Sequence, residues 1–325
     1  MTDHHTETFT TPSPAAPAGG TPGAVTGVVP PLVTPLTAEG EVDRASLSRQ
    51  VTRLLEAGVD GIFALGSSGE VAFYDDNTRA VVLDTVVTEV SGQVPVIVGV
   101  IDMQTSRVIQ HIQAAERFSI AGFVATAPFY AISGPEELDA HFRQIAQAAP
   151  APLWAYDIPV CVHQKLNPAH LVELGNDGVL SGVKDSSGDD VSFRRLAALN
   201  QASGNPLTLL TGHEVVVDGA YLSGAHGSVP GLGNVDPDGY VRLHRAAMAK
   251  DWETARQEQE RLAALFEIVF TPHGKVGPAA GVGAFKTALR EMGVFSTNTM
   301  SPPMTALDET TSAKIRDILA RHGLL

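Results

Sequence analysis

Lys184 closes the run Leu180-Ser181-Gly182-Val183-Lys184 and is followed by Asp185 and Ser186. The chain has six lysines, at positions 165, 184, 250, 275, 286 and 314, and Lys184 alone ends a predicted strand. An ammonium among hydrocarbon neighbours is poorly solvated, which lowers its pKa and leaves more of the neutral amine that adds to a ketone. That is the requirement for a Schiff-base lysine. A lysine paired with Asp185, or reaching along its stem to solvent, satisfies the same stretch. Three further spots carry usable groups. In Gly66-Ser67-Ser68-Gly69-Glu70 two glycines permit a tight turn, and two hydroxyls stand beside exposed N–H groups, a combination that suits a carboxylate or phosphate and also describes an ordinary turn. Trp154-Ala155-Tyr156-Asp157-Ile158-Pro159 and Thr126-Ala127-Pro128-Phe129-Tyr130 each offer a phenol. Two phenols facing one cavity pass protons; taken singly, each tyrosine is a half-buried packing residue.

The elements that must position these groups follow from hydrophobic periodicity. Short β-branched runs at 27–36, 61–65, 94–100, 122–127, 152–158, 182–184, 207–211 and 227–230 predict eight strands. Between the first two, Leu47, Val51, Leu54 and Leu55 recur at helical spacing, with Asp43 placed to cap the start and Gly58 the end. Further helices fit 78–90, 106–118, 135–148, 168–174, 191–199 and 215–222. Eight such steps over about 200 residues match a closed (β/α)8 barrel better than an open doubly wound sheet. Beyond Pro230 the pattern is helical, at 240–250, 252–270, 281–291 and 308–322. The predicted architecture is an α/β TIM barrel over residues 25–235 and a C-terminal helical region over 236–325, preceded by a disordered tail over 1–24. In such barrels the reactive groups stand at the C-terminal ends of strands. Ser67, Ser68, Tyr130, Tyr156 and Lys184 all fall there, on strands two, four, five and six.

Charge and composition bound the function. The 22 basic and 36 acidic side chains give a formal charge of −14, which repels nucleic-acid phosphates and anionic membranes. The longest apolar run, at 94–101, stops well short of the ~20 residues that span a bilayer. The first 24 residues have neither a basic start nor a continuous apolar stretch, so they are expected to be a tail and not a signal peptide. A single cysteine, Cys161, forms no internal disulfide and fits a reducing, cytoplasmic setting. The eleven histidines form no His-x-His and no His-Glu-x-x-His, so no metal is expected. Asp75-Asp76 and Asp189-Asp190 precede helices, where acidic residues complement the dipole. Gly281-Val282-Gly283-Ala284-Phe285-Lys286 lacks the third glycine of a dinucleotide loop and is assigned to helix packing.

From about Val25 to its end the chain resembles the pyruvate-dependent class I aldolases and lyases of the dihydrodipicolinate synthase and N-acetylneuraminate lyase family. The residues that carry the likeness are Gly66-Ser67-Ser68-Gly69-Glu70, Pro128-Phe129-Tyr130, Tyr156-Asp157-Ile158-Pro159 and Gly182-Val183-Lys184-Asp185, in the family's order. The resemblance implies an imine between Lys184 and the keto carbon of a 2-oxo acid, with no metal or organic cofactor. It implies Tyr156 as the proton shuttle and Ser67 and Ser68 as holders of the pyruvyl carboxylate. Tyr130 would complete a hydroxyl relay across a subunit contact, commonly in a homotetramer. The expected partners are a small 2-oxo acid and an aldehyde.

One departure bears on the substrate. Where dihydrodipicolinate-forming members place an arginine for the aldehyde's distal carboxylate, this chain has Pro159-Val160-Cys161-Val162-His163, and a thiol gives no bidentate clamp. Gly212, Glu214, Ser228 and Val229 lie where sugar-acid lyases of the family contact a hydroxylated tail, which points to a 2-keto-3-deoxy sugar acid. For Glu214 a helix cap, and for Ser228 a simple turn, are the structural alternatives. His213 and Cys161 are weaker candidates. Three functions follow: an aldolase or lyase acting on such an acid, a dihydrodipicolinate synthase or dehydratase using the same imine, and a barrel that only binds its ligand.

Overall fold

Asp43 and Gly58 bracket the first helix as their chemistry predicts. In the computed structural model, which describes residues 25–325, the Asp43 carboxylate accepts the Ser46 N–H at 3.0 Å and Gly58 closes α1 (Arg44–Ala57) at φ 81°. The predicted tail, 1–24, lies outside the described residues. Asp75 and Asp189 play the same capping part for α2 (Asp76–Val90) and, further on, for the helix that follows the sixth strand.

All eight predicted strands form: β1 (Gly27–Val28), β2 (Ile62–Ala64), β3 (Val96–Gly99), β4 (Gly122–Thr126), β5 (Leu153–Asp157), β6 (Gly182–Asp185), β7 (Thr208–Thr211) and β8 (Gly227–Ser228). Every pairing is parallel and the order runs β1-β8-β7-β6-β5-β4-β3-β2. The circle closes between β1 and β2, where Leu32 N–H donates to the Phe63 carbonyl at 2.8 Å and Phe63 N–H to that of Pro30 at 3.0 Å. β1 is much shorter than the predicted 27–36, because Pro30 and Pro31 have no N–H to give to a ladder. The fold is the (β/α)8 TIM barrel.

Around the strands lie α3 (Thr105–Ala115), α4 (Pro135–Ala148), a single turn α5 (Pro159–Val162), α6 (Pro168–Asn176), α7 (Asp190–Ala202) and α8 (Val217–Ser223). After β8 the chain is helical: α9 (Pro237–Met248), α10 (Trp252–Phe266), α11 (Pro278–Glu291) and α12 (Glu309–Arg321). The buried apolar residues run as one cluster from Val25 and the barrel strands through Leu262, Ala288 and Leu319. No helix of the described residues is long and apolar enough to cross a membrane.

Candidate active site

Strand register decides which side chains share the lumen. Lys184 on β6 pairs across to Tyr156 on β5, and Tyr156 to Thr126 on β4. Partners directly opposite one another point to one face, so these three project together. Phe63 on β2 reaches them from across the barrel. The Lys184 amine lies 4.1 Å from the centre of the Tyr156 ring and 4.7 Å from that of Phe63, and the two rings meet edge to face at 6.1 Å. An ammonium so placed is held by the ring quadrupoles. Lys184 is 4% exposed, and among the described residues no carboxylate lies within ion-pair distance of it.

Asp185, one residue on, belongs to the opposite face, as strand alternation demands. There it accepts the Ser187 N–H at 2.8 Å and faces Lys165 at 3.6 Å. Lys165 also pairs with the buried Asp157, which accepts the Leu166 N–H at 3.2 Å. Burial raises the Asp157 carboxyl to about 6, against the pull of Lys165. These contacts fix the segment after β5, which carries Cys161. The Cys161 thiol sits beside the Ser67 hydroxyl and feels the Lys184 charge; burial pushes it up and both neighbours oppose that.

Ser67 and Ser68 lie half-buried in a 3-10 turn spanning Ser67–Gly69, directly after β2. Glycine is required at 66, since a Cβ there would stand 2.7 Å from the Phe63 ring. The turn is thereby seated on the same ring that receives the Lys184 amine.

Tyr130 does not join this group within one chain. It is 93% exposed on the loop after β4, at φ 73°, the left-handed region where a bulky residue is uncommon. Gly212 follows β7, where any side chain would collide with the Ser186 hydroxyl. Glu214 does not cap the next helix, which starts after Val216 without a side-chain cap of its own. One carboxylate oxygen accepts the Leu232 N–H at 2.8 Å, holding the turn Gly231–Asn234, while Gln259 accepts at the start of α8, from Val217 N–H at 2.7 Å. Burial raises the Glu214 carboxyl to about 7, and the hydrogen bonds from Leu232 and Gly231 and the Lys184 charge hold it down.

Ser228 requires a correction. It pairs with Thr211, which pairs with Asp185, so the register puts it on the outer face, against the Tyr221 hydroxyl of α8 and away from the lumen. A two-residue strand has no alternation from which to read its phase. Val229 is buried, and its N–H bonds to the Thr211 carbonyl at 2.7 Å. His213 faces Asp190 at 3.3 Å, outside the lysine cluster.

Sequence reasoning missed two lumen residues. Phe63 was one apolar residue among many, and only the closed barrel brings it to the amine. Thr126 is 3% exposed, and its hydroxyl has no hydrogen-bond partner among the described residues. Its signal was a polar residue at an inward strand position, two residues before Pro128.

A parallel barrel with one buried, unpaired lysine at a strand end defines a class I aldolase or lyase. Comparison with known proteins agrees. Residues 24–322 match the model of the dihydrodipicolinate synthetase family, and the chain belongs to that family. A DapA-like lyase of Halobacterium salinarum is 34% identical, covering 95% of this chain and 98% of its own length. The 4-hydroxy-tetrahydrodipicolinate synthase of Phenylobacterium zucineum is 30% identical over 92% of this chain and 98% of its own. Among solved structures, YagE, an E. coli prophage protein of the dihydrodipicolinic acid synthase family in complex with pyruvate, superposes with a TM-score of 0.87 at 26% identity, covering 92% of this chain and 99% of that one.

Proposed function

We propose that Lys184 forms an imine with pyruvate and that the enzyme cleaves, or in reverse makes, a 2-keto-3-deoxy sugar acid. The observation that supports this most is the Lys184 amine itself, 4% exposed and facing the Tyr156 and Phe63 rings with no ion-pair partner among the described residues. The neutral amine adds to the C2 carbonyl, and with uptake of a proton water leaves, giving a protonated imine. When the C3–C4 bond breaks, its electron pair passes into the imine as an enamine and the C4 hydroxyl loses its proton, so the tail departs as an aldehyde. Tyr156 accepts that proton and returns one to C3; hydrolysis then frees pyruvate. Ser67 and Ser68 hold the carboxylate. No cofactor enters these steps. Cys161 in the loop after β5 favours a hydroxylated tail over one ending in a carboxylate. The reading includes a homotetramer in which a neighbour's Tyr130 completes the hydroxyl relay, and a cytoplasmic setting.

Borohydride reduction in the presence of pyruvate tests the core of this. A stable mass increase on the peptide containing Lys184 is expected, and its absence would point to a barrel that only binds. Incubation with a panel of 2-keto-3-deoxy acids should release pyruvate and an aldehyde; a dehydrated 2-oxo acid in their place would make the enzyme a dehydratase.

A further inference from the structure

Glu70 ends the serine turn at φ 59°, a left-handed conformation that costs a residue with a side chain, so contacts outside the turn must hold it there. Those contacts come from more than two hundred residues away. One carboxylate oxygen pairs with the Lys286 ammonium from α11, and the other accepts the Ser301 N–H at 2.8 Å. Lys286 also donates to the Thr299 carbonyl at 2.8 Å. Both charged side chains are fully buried. A buried ion pair generally stabilises no better than apolar residues of the same volume, so stability alone gives no reason for one here.

Its position gives a reason. On the other flank, the Thr34 hydroxyl donates to the Gly69 carbonyl at 3.1 Å, and a Cβ on Gly69 would stand 3.1 Å from the Leu32 carbonyl. The turn is clamped between the start of the barrel and its C-terminal helices. It is seated on Phe63, whose ring faces the reactive amine. A shift of Glu70 moves Ser67 and Ser68 relative to Lys184.

We infer that Glu70 and Lys286 are positioning residues that set the Ser67–Ser68 turn for the substrate carboxylate. This rests on the reading of that turn given under Proposed function. Gly281 to Lys286, assigned from sequence to helix packing, then also supplies the cation that fixes the turn.

The test is borohydride trapping of pyruvate on Lys184, measured as a function of pyruvate concentration. An adduct on the unaltered enzyme is required first; without one, the imine reading fails before the positioning claim is reached. Given an adduct, Glu70→Gln is expected to raise the half-saturating pyruvate concentration about tenfold, as for loss of one charge-assisted contact. The labelling rate at saturation should stay within about twofold. The double variant Glu70→Gln/Lys286→Met removes both charges; it should recover thermal stability while keeping the raised half-saturation. A half-saturation unchanged in the folded variants, with only the melting temperature moved, would overturn the inference. Should the variants not fold, hydrogen exchange on the unaltered enzyme decides. Pyruvate is expected to slow exchange at 67–71 and at Ser301 together, and protection of the turn without Ser301 overturns the coupling.

Discussion

Lys184 and Lys286 are both buried, at 4% and 0% exposure, yet their surroundings differ in kind. Lys286 has a carboxylate and a backbone carbonyl as fixed partners. Lys184 has two aromatic faces and no carboxylate within ion-pair distance among the described residues. A carboxylate and a carbonyl occupy the Lys286 ammonium where it lies, whereas among the described residues no such polar partner ties the Lys184 amine. In the proposed reaction the barrel lumen supplies the group that reacts, and the C-terminal helices supply one that holds. Burial is common to both lysines; what differs between them is the partner.

Making the same substitution at both sites separates the two roles. Lys184→Met is expected to abolish the borohydride adduct and all turnover, while the unfolding free energy in urea stays level or rises, because no charge is left without its partner. Loss of folding in that variant would show that the amine also serves structure. Lys286→Met leaves the Glu70 carboxylate buried alone and should cost about 3–5 kcal/mol in the same denaturation measurement. A cost under about 1 kcal/mol would mean the pair is slack. The finest probe is Tyr156→Phe, which keeps the ring beside the amine and deletes only the hydroxyl. Adduct formation should persist while bond cleavage, followed by pyruvate release, slows about 10²- to 10⁴-fold, the usual worth of a positioned acid or base. Normal turnover would assign the proton to another group, and the Thr126 hydroxyl, opposite Tyr156 and without a partner among the described residues, is the first to examine.

Much of the site was legible because its marks are local. Lys184 ends a run whose composition already says strand, and the serine turn carries its own glycines. Asp43 and Gly58 announce the first helix from both sides, as the observed caps bear out. Other marks misled or were mute. Glu214 suited a cap of the next helix and instead holds the turn after β8. Ser228 stands in a strand too short to show its phase. Lys165, which pairs with both Asp157 and Asp185, carried no mark in the sequence beyond being one of six lysines.

By itself, the sequence determined the alternation of strands and helices and the lysine that could react, since hydrophobic period and turn chemistry act over a few residues. Tertiary structure decided what each lysine faces. Closing the barrel brings Phe63 across to Lys184, and docking α11 brings Lys286 to Glu70. A charge's environment is set by groups distant along the chain, and only their meeting in space gave one amine two ring faces and the other a carboxylate.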